Sequence, residues 1–200
     1  EAGNRYAVFF THPREALSYH YERNPRDPRV SHAMTLEVDR FGNVLKSAAI
    51  GYGRRQPDPT LAVEDQERQG QLLITYTENR VTNAIDDITH LDDYREPSPC
   101  ESRTYELTGL TPRSGQLRFG LDGMLTAGIG ATAIPYEQHP TSGLLQKRLI
   151  EQTRTLYRRN DFSEPLAVSQ LESLALPFES YTLAFIPSLL SELYGSRVDE

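Results

Sequence analysis

The sequence has a single cysteine, Cys100, and no tryptophan. One thiol excludes an internal disulfide and any multi-cysteine metal centre. Stability must therefore come from packing and hydrogen bonding. No apolar run approaches the roughly 18–20 residues that span a bilayer as a helix, so direct membrane insertion by a helix is not expected. Basic charge is also in deficit: the formal net charge is −7 at pH 7. An acidic chain without a basic patch is a poor nucleic-acid binder. The phosphate-binding and nucleophile motifs are missing as well. No G-x-G-x-x-G follows a strand pattern, and no P-loop or G-x-S-x-G elbow is found. Gly128-Ile129-Gly130-Ala131-Thr132 lacks the lysine that a phosphate cradle needs. The chain begins at Glu1 without a methionine or an apolar leader. It reads as one piece of a longer protein.

What is present is alternation. Met34, Leu36 and Val38 face one way, Thr35, Glu37 and Asp39 the other. After Arg40-Phe41-Gly42-Asn43 the pattern resumes with Val44, Ala48, Ile50 and Tyr52, broken at Lys46. Period-two alternation on both sides of a short Gly/Asn turn predicts a β-hairpin. Gly42 and Asn43 are residue types that tolerate the positive φ of such loops. Eleven tyrosines suit half-buried sheet surfaces with one wet edge.

The same reasoning extends along the chain. Strands are expected at Tyr6–Phe10, around Leu17, Tyr19 and Tyr21, from Leu72 through Tyr76 toward Val81, and from Arg103 to Thr108. Asn24-Pro25-Arg26-Asp27-Pro28 is a turn. Gln56 to Gly70 is polar and reads as a solvated loop with at most one helical turn. Residues 111–145 are rich in glycine and proline and read as loops with one or two short strands. Leu144 to Arg159 fits a helix or a strand, and its β-branched content favours a strand. Pro187 and Gly195 bracket a short helix, Pro187 to Tyr194, whose Leu189, Leu190 and Leu193 should pack on the sheet. A helical turn near Glu179 to Ala184 is a further expectation. The fold class is mainly β: antiparallel hairpins with one or two short C-terminal helices. The chain divides into a β-hairpin part (1–110), a Gly/Pro-rich region (111–145) and a strand with short helices (146–200).

The chemistry-bearing candidates each have a plainer reading. Asp86, Asp87, His90, Asp92 and Asp93 could hold a divalent ion, but the spacing is not that of a calcium loop. His20 and Glu22 could work as an acid–base pair, though an exposed cross-strand pair is the commoner case. His12 suggests no partner, and His32 is expected to bond locally. Cys100 has no nearby histidine to activate it. Arg23, Arg26, Arg29, Arg54 and Arg55 form a basic grouping. Their forked guanidiniums should tie turns to Glu22, Asp27 and Asp39. No catalytic, metal or cofactor site is assigned.

One stretch carries a resemblance. Asp39-Arg40-Phe41-Gly42-Asn43-Val44-Leu45 fits the D-x-x-G-N-hydrophobic core of an Rhs/YD repeat. Tyr19-His20-Tyr21-Glu22-Arg23-Asn24, Asp27-Pro28-Arg29 and Tyr52-Gly53-Arg54-Arg55 resemble the middle region of the B component of bacterial insecticidal toxin complexes, the TcdB-type Rhs proteins. Leu73 to Arg80, Cys100 to Gly109 and Leu174 to Phe185 agree with it. The resemblance implies a segment of a hollow β shell that encloses a cytotoxic polypeptide before translocation. It implies partnership with the rest of the parent chain and with the C component, and through the parent with the A-component pore. It also implies secretion as part of the parent toxin after a cytoplasmic stage, and no catalysis. The structural residues carried over are Tyr19, Tyr21, Arg23, Asn24, Asp39, Gly42, Asn43, Tyr52 and Arg54. Two other classes remain open on the residues alone. One is a carbohydrate- or surface-binding β module, marked by exposed tyrosines and an Asp-rich loop. The other is a hydrolase with a carboxylate pair assembled from distant loops.

Overall fold

Alternating sequence becomes sheet. The computed structural model describes residues 9–87 and 89–197. Eight strands form one sheet: β1 (Glu15–His20), β2 (Arg29–Val38), β3 (Val44–Tyr52), β4 (Leu73–Val81), β5 (Pro99–Thr108), β6 (Thr132–Ile134), β7 (Gln146–Tyr157) and β8 (Pro177–Thr182). Three helices accompany them: α1 (Val63–Gly70), α2 (Leu121–Gly130) and α3 (Pro187–Tyr194). The spatial order is β1-β2-β3-β4-β5-β7-β6, and β8 also pairs with β7. Every pairing is antiparallel except β6 with β7. The mainly β, antiparallel class read from the sequence is what the chain adopts.

One face of the sheet carries the core. Met34 on β2, Ala48 and Ile50 on β3, Ile74 and Tyr76 on β4 and Leu107 on β5 point to it. Helix α2 covers them through Met124 and Ala127, joined by Phe119 before it and Ala131 after it. Met124, Ala127 and Ala131 recur at helical spacing, so one stripe of α2 is apolar. Gly128 lies on that stripe for a steric reason. A Cβ there would sit 2.3 Å from the Tyr76 ring, and Tyr76 is fully buried. A smaller cluster of Cys100, Tyr157 and Leu171 is closed by Ile85, Leu166 and Ala175.

The structure corrects several expectations. The polar stretch before Gly70 contains the eight-residue helix α1 rather than one turn at most. The glycine-rich 111–145 region supplies the covering helix α2. Its Gly120, Gly123, Gly128 and Gly130 read as loop signals, yet burial of one apolar stripe outweighs their poor helix propensity. The segment expected to turn helically near Glu179 is strand β8. Leu144 to Arg159 resolves as strand β7. The helix Pro187–Tyr194 forms with the bounds read from Pro187 and Gly195. It does not pack on the sheet as expected: Leu189 and Leu190 are half-buried and Leu193 is exposed. Of the expected strand Tyr6–Phe10, residues 6–8 lie outside the described residues, and Phe9 and Phe10 are exposed and not in a strand.

Candidate functional site

Among the described residues no strand lies beyond β1 on one side of the sheet or beyond β8 on the other. All six residues of β1 are exposed. The Thr35 amide donates to the Arg14 carbonyl at 2.9 Å, which fixes the parity of the β1–β2 ladder. Residues 14, 16, 18 and 20 face β2, and the backbone N–H groups of Glu15, Leu17 and Tyr19 point away from the sheet. β8 is nearly as exposed. Unpaired strand edges are templates for further pairing.

Beside the β1 edge the Tyr19–Arg55 stretch is held by polar contacts. Glu22 (φ 44°) and Arg23 (φ 64°) adopt left-handed backbone. This turn sets the Glu22 carboxylate between Arg29 and Arg54, 2.6 Å from the latter. Asp27 is buried and accepts the backbone amides of Arg55 (3.2 Å) and Gln56 (2.9 Å). Arg54 donates to the Asp27 carbonyl at 2.9 Å. The expected guanidinium ties are present at Glu22, and at Asp27 as a longer contact with Arg55 Nε at 3.8 Å. The expected tie to Asp39 is absent: its carboxylate folds the β2–β3 turn instead. Oδ1 accepts from the Phe41 and Asn43 amides, both at 2.9 Å, and Oδ2 accepts from Asn43 Nδ2 at 3.0 Å. Burial opposes these bonds, but together they hold the Asp39 carboxyl below its ordinary range. Gly42 carries the φ of 88° that the turn needs. Asn24 braces the first turn, accepting from the Arg26 amide. Tyr19 and Tyr21 stack at 6.4 Å and are half-exposed. Arg23 is exposed and forms no ion pair among the described residues.

His32 does not bond locally as expected. It is 1% exposed and links three elements. Tyr52 Oη accepts from the Phe119 amide at 3.0 Å and lies 3.0 Å from His32 Nδ1. Either partner can donate in that contact, according to the tautomer of the ring, whose other nitrogen is Nε2. That nitrogen faces Glu15 Oε1 at 3.0 Å, off the line of a well-aligned bond. The chain of contacts ties α2's lead-in, β3, β2 and the edge strand β1 together. With His32 sealed from solvent, it offers no substrate access.

Residues 1–91 match the family described as insecticide toxin TcdB middle/C-terminal region. The resemblance to TcdB-type toxin proteins therefore holds. Solved structures match most of the chain. One, titled "Crystal Structure of TcdB2-TccC3", is 26% identical with a TM-score of 0.65 over 91% of this chain. Another, the Photorhabdus luminescens Tc holotoxin pore with the TccC3-D651A mutation, is 25% identical with a TM-score of 0.62 over 91% of this chain. The chain spans 8% of the length of each of those chains. No curated protein matches it.

Reaching from Arg80, inside the matched residues, to Arg154 beyond them is a cluster that sequence reasoning missed. Arg80, Glu101 and Arg154 are directly opposite one another across β4, β5 and β7. The Glu101 side chain is 1% exposed. Its Oε1 accepts from Arg154 Nη2 (2.7 Å) and Nε (3.1 Å), Gln152 Nε2 (2.8 Å) and Arg103 Nη2 (3.1 Å). Oε2 faces Arg103 at 3.0 Å and Arg80 at 3.6 Å without a well-directed bond. Burial alone would raise the Glu101 carboxyl, but bonds from Arg154 and Gln152 and the charge of Arg103 hold it below its ordinary value. No local motif could reveal this cluster, because its members span more than seventy residues.

The other candidates stay apart. Asp87 and His90 pair at 3.1 Å on an exposed loop with Thr89. Among the described residues no three His, Cys, Asp or Glu side chains come together to hold a metal ion. Cys100 is buried with Sγ 3.4 Å from Ser169 Oγ. His20 ends β1 and lines a shallow groove with Glu22, Arg29 and Tyr52. No helix among the described residues is long and apolar enough to cross a membrane.

Proposed function

We propose that this chain is a wall segment of a toxin-complex B component, part of an Rhs-type β shell that encloses a cytotoxic polypeptide before translocation. The observation that carries this reading is the open sheet, whose β1 and β8 edges have no strand beyond them among the described residues. Such a sheet is completed by strands of its own parent chain on either side. The likeness to the TcdB2-TccC3 structure supports a C component as the partner that closes the shell. The likeness to the holotoxin pore supports engagement of the A-component pore through the parent. The segment contributes architecture and no catalysis, and it leaves the producing cell as part of the secreted toxin.

The test uses the parity of β1. Proline at Leu17 removes an outward-facing amide and no bond to β2. In the full parent protein with its C component, Leu17→Pro should leave protein expressed and folded but expose the enclosed polypeptide to protease. Full protection of the cargo in that variant contradicts the wall reading. The stacked Tyr19–Tyr21 pair is the feature that suits the alternative, a carbohydrate- or surface-binding module. Retention on a glycan matrix, lost in Tyr19→Ala, is the result that favours it.

A further inference from the structure

The Arg80–Glu101–Arg154 row holds more positive charge than its carboxylate can use. Three guanidiniums, Arg80, Arg103 and Arg154, converge on the single Glu101. The excess is two positive charges on a chain whose net charge is −7. Glu101 Oε1 is saturated by bonds from Gln152, Arg103 and Arg154, while Oε2 faces Arg103 at 3.0 Å and Arg80 at 3.6 Å. Further along the sheet, Glu78 meets Lys147 and Glu37 meets Lys46 one to one. Arg80 differs from these matched cations. Its side chain is 59% exposed, its nearest carboxylate oxygen is 3.6 Å away, and its guanidinium makes no hydrogen bond among the described residues.

We propose that this row is a docking site for carboxylate side chains of an acidic polypeptide segment, received by Arg80 and Arg154. A guanidinium presents a planar fork of donors that matches a carboxylate in two parallel bonds. Charge counting selects the occupant. Two surplus charges suit one or two carboxylates, while a long polyanion would meet the repulsion of the acidic chain around the site. The site uses side chains on the sheet's face and no strand edge, so it goes beyond the wall reading and does not depend on it.

A short fluorescein-labelled peptide alternating Glu and Ser, titrated with the full chain at low ionic strength, reads the site by anisotropy. Saturable binding is expected, lost when Gln replaces Glu in the peptide. Arg80→Gln should weaken it about tenfold, the size of one charge-assisted contact. Arg80's loose contact with Glu101 means that variant should keep the wild-type thermal midpoint. Arg68→Gln makes the same charge change at an exposed cation on α1 and should leave binding unchanged. Absence of saturable binding overturns the proposal. So does equal weakening by Arg68→Gln and Arg80→Gln, which would mark general charge attraction. Tighter binding of heparin than of the peptide overturns the assigned occupant. None of these results bears on Leu17→Pro, which is read at the β1 edge.

Discussion

Helix α2 contains two glycines that should answer the same substitution with opposite signs. At Gly128 a new Cβ would lie 2.3, 2.5 and 2.6 Å from three ring carbons of Tyr76. Real Cβ atoms do not approach that closely, so ring or helix must move. The ring has little freedom, since Tyr76 is fully buried. Lys147 hangs over it at 5.5 Å and donates to the Gly128 carbonyl at 3.0 Å. Overpacking of this kind costs about 1–3 kcal/mol, and so close a contact belongs near the top of that range. Alanine returns up to about 1 kcal/mol of helix propensity. The net expectation for Gly128→Ala is a loss of about 1–2 kcal/mol. Gly123 lies in the same helix with nothing within 4 Å of its would-be Cβ. Gly123→Ala should therefore gain about 0.5–1 kcal/mol. The two variants should differ by about 3–12 °C in thermal midpoint, taking about 2–4 °C per kcal/mol for a chain of this size. Differential scanning calorimetry of both variants reads this directly. If Gly128→Ala melts at or above Gly123→Ala, α2 does not press on Tyr76 and the core description is wrong.

Two further outcomes follow from the turns and the buried carboxylate. Gly42→Val forces a β-branched residue into a φ of 88°, at a cost of about 1–3 kcal/mol; a thermal midpoint equal to wild type would count against the turn. For Glu101, a folded-state pKa below the ordinary value means its stabilisation is fully present above about 4.5 and is lost as pH falls through the depressed value. Glu101→Gln should therefore cost about 2 kcal/mol at pH 7, less than a fully buried pair because its arginines are partly solvated. Urea titrations of both proteins should show that gap closing toward acidic pH, and a pH-independent gap would refute the assignment.

Much of the sheet was legible because alternation is local. The β2–β3 hairpin, β5 and helix α3 follow from residues within one or two turns of each other. Within the Tyr19–Arg55 stretch Asp39 accepts from the turn amides, Gly42 carries the positive φ and Arg54 donates to the Asp27 carbonyl. Helix α2 was hidden because its glycines signal loops, while its stripe of Met124 and Ala127 has meaning only against Tyr76 and Ile74 on another element. His32 was misjudged because its partners, Glu15 and Tyr52, come from the strands on either side. The Glu101 cluster was missed for the same reason. Strand order decides which charges meet, and the pairing of β5 with β7 skips the intervening helix and strand.

The central claim is that this open sheet is completed by neighbouring strands in the wall of a closed shell. The most direct measurement is a cryo-electron microscopy map of the full parent protein with its C component, read at Glu15–His20 and Pro177–Thr182. The account predicts that both strands are paired on their outer edges and that the sheet is continuous with the shell wall. A map in which these residues form a separate module outside the shell, with both edges in solvent, would contradict it.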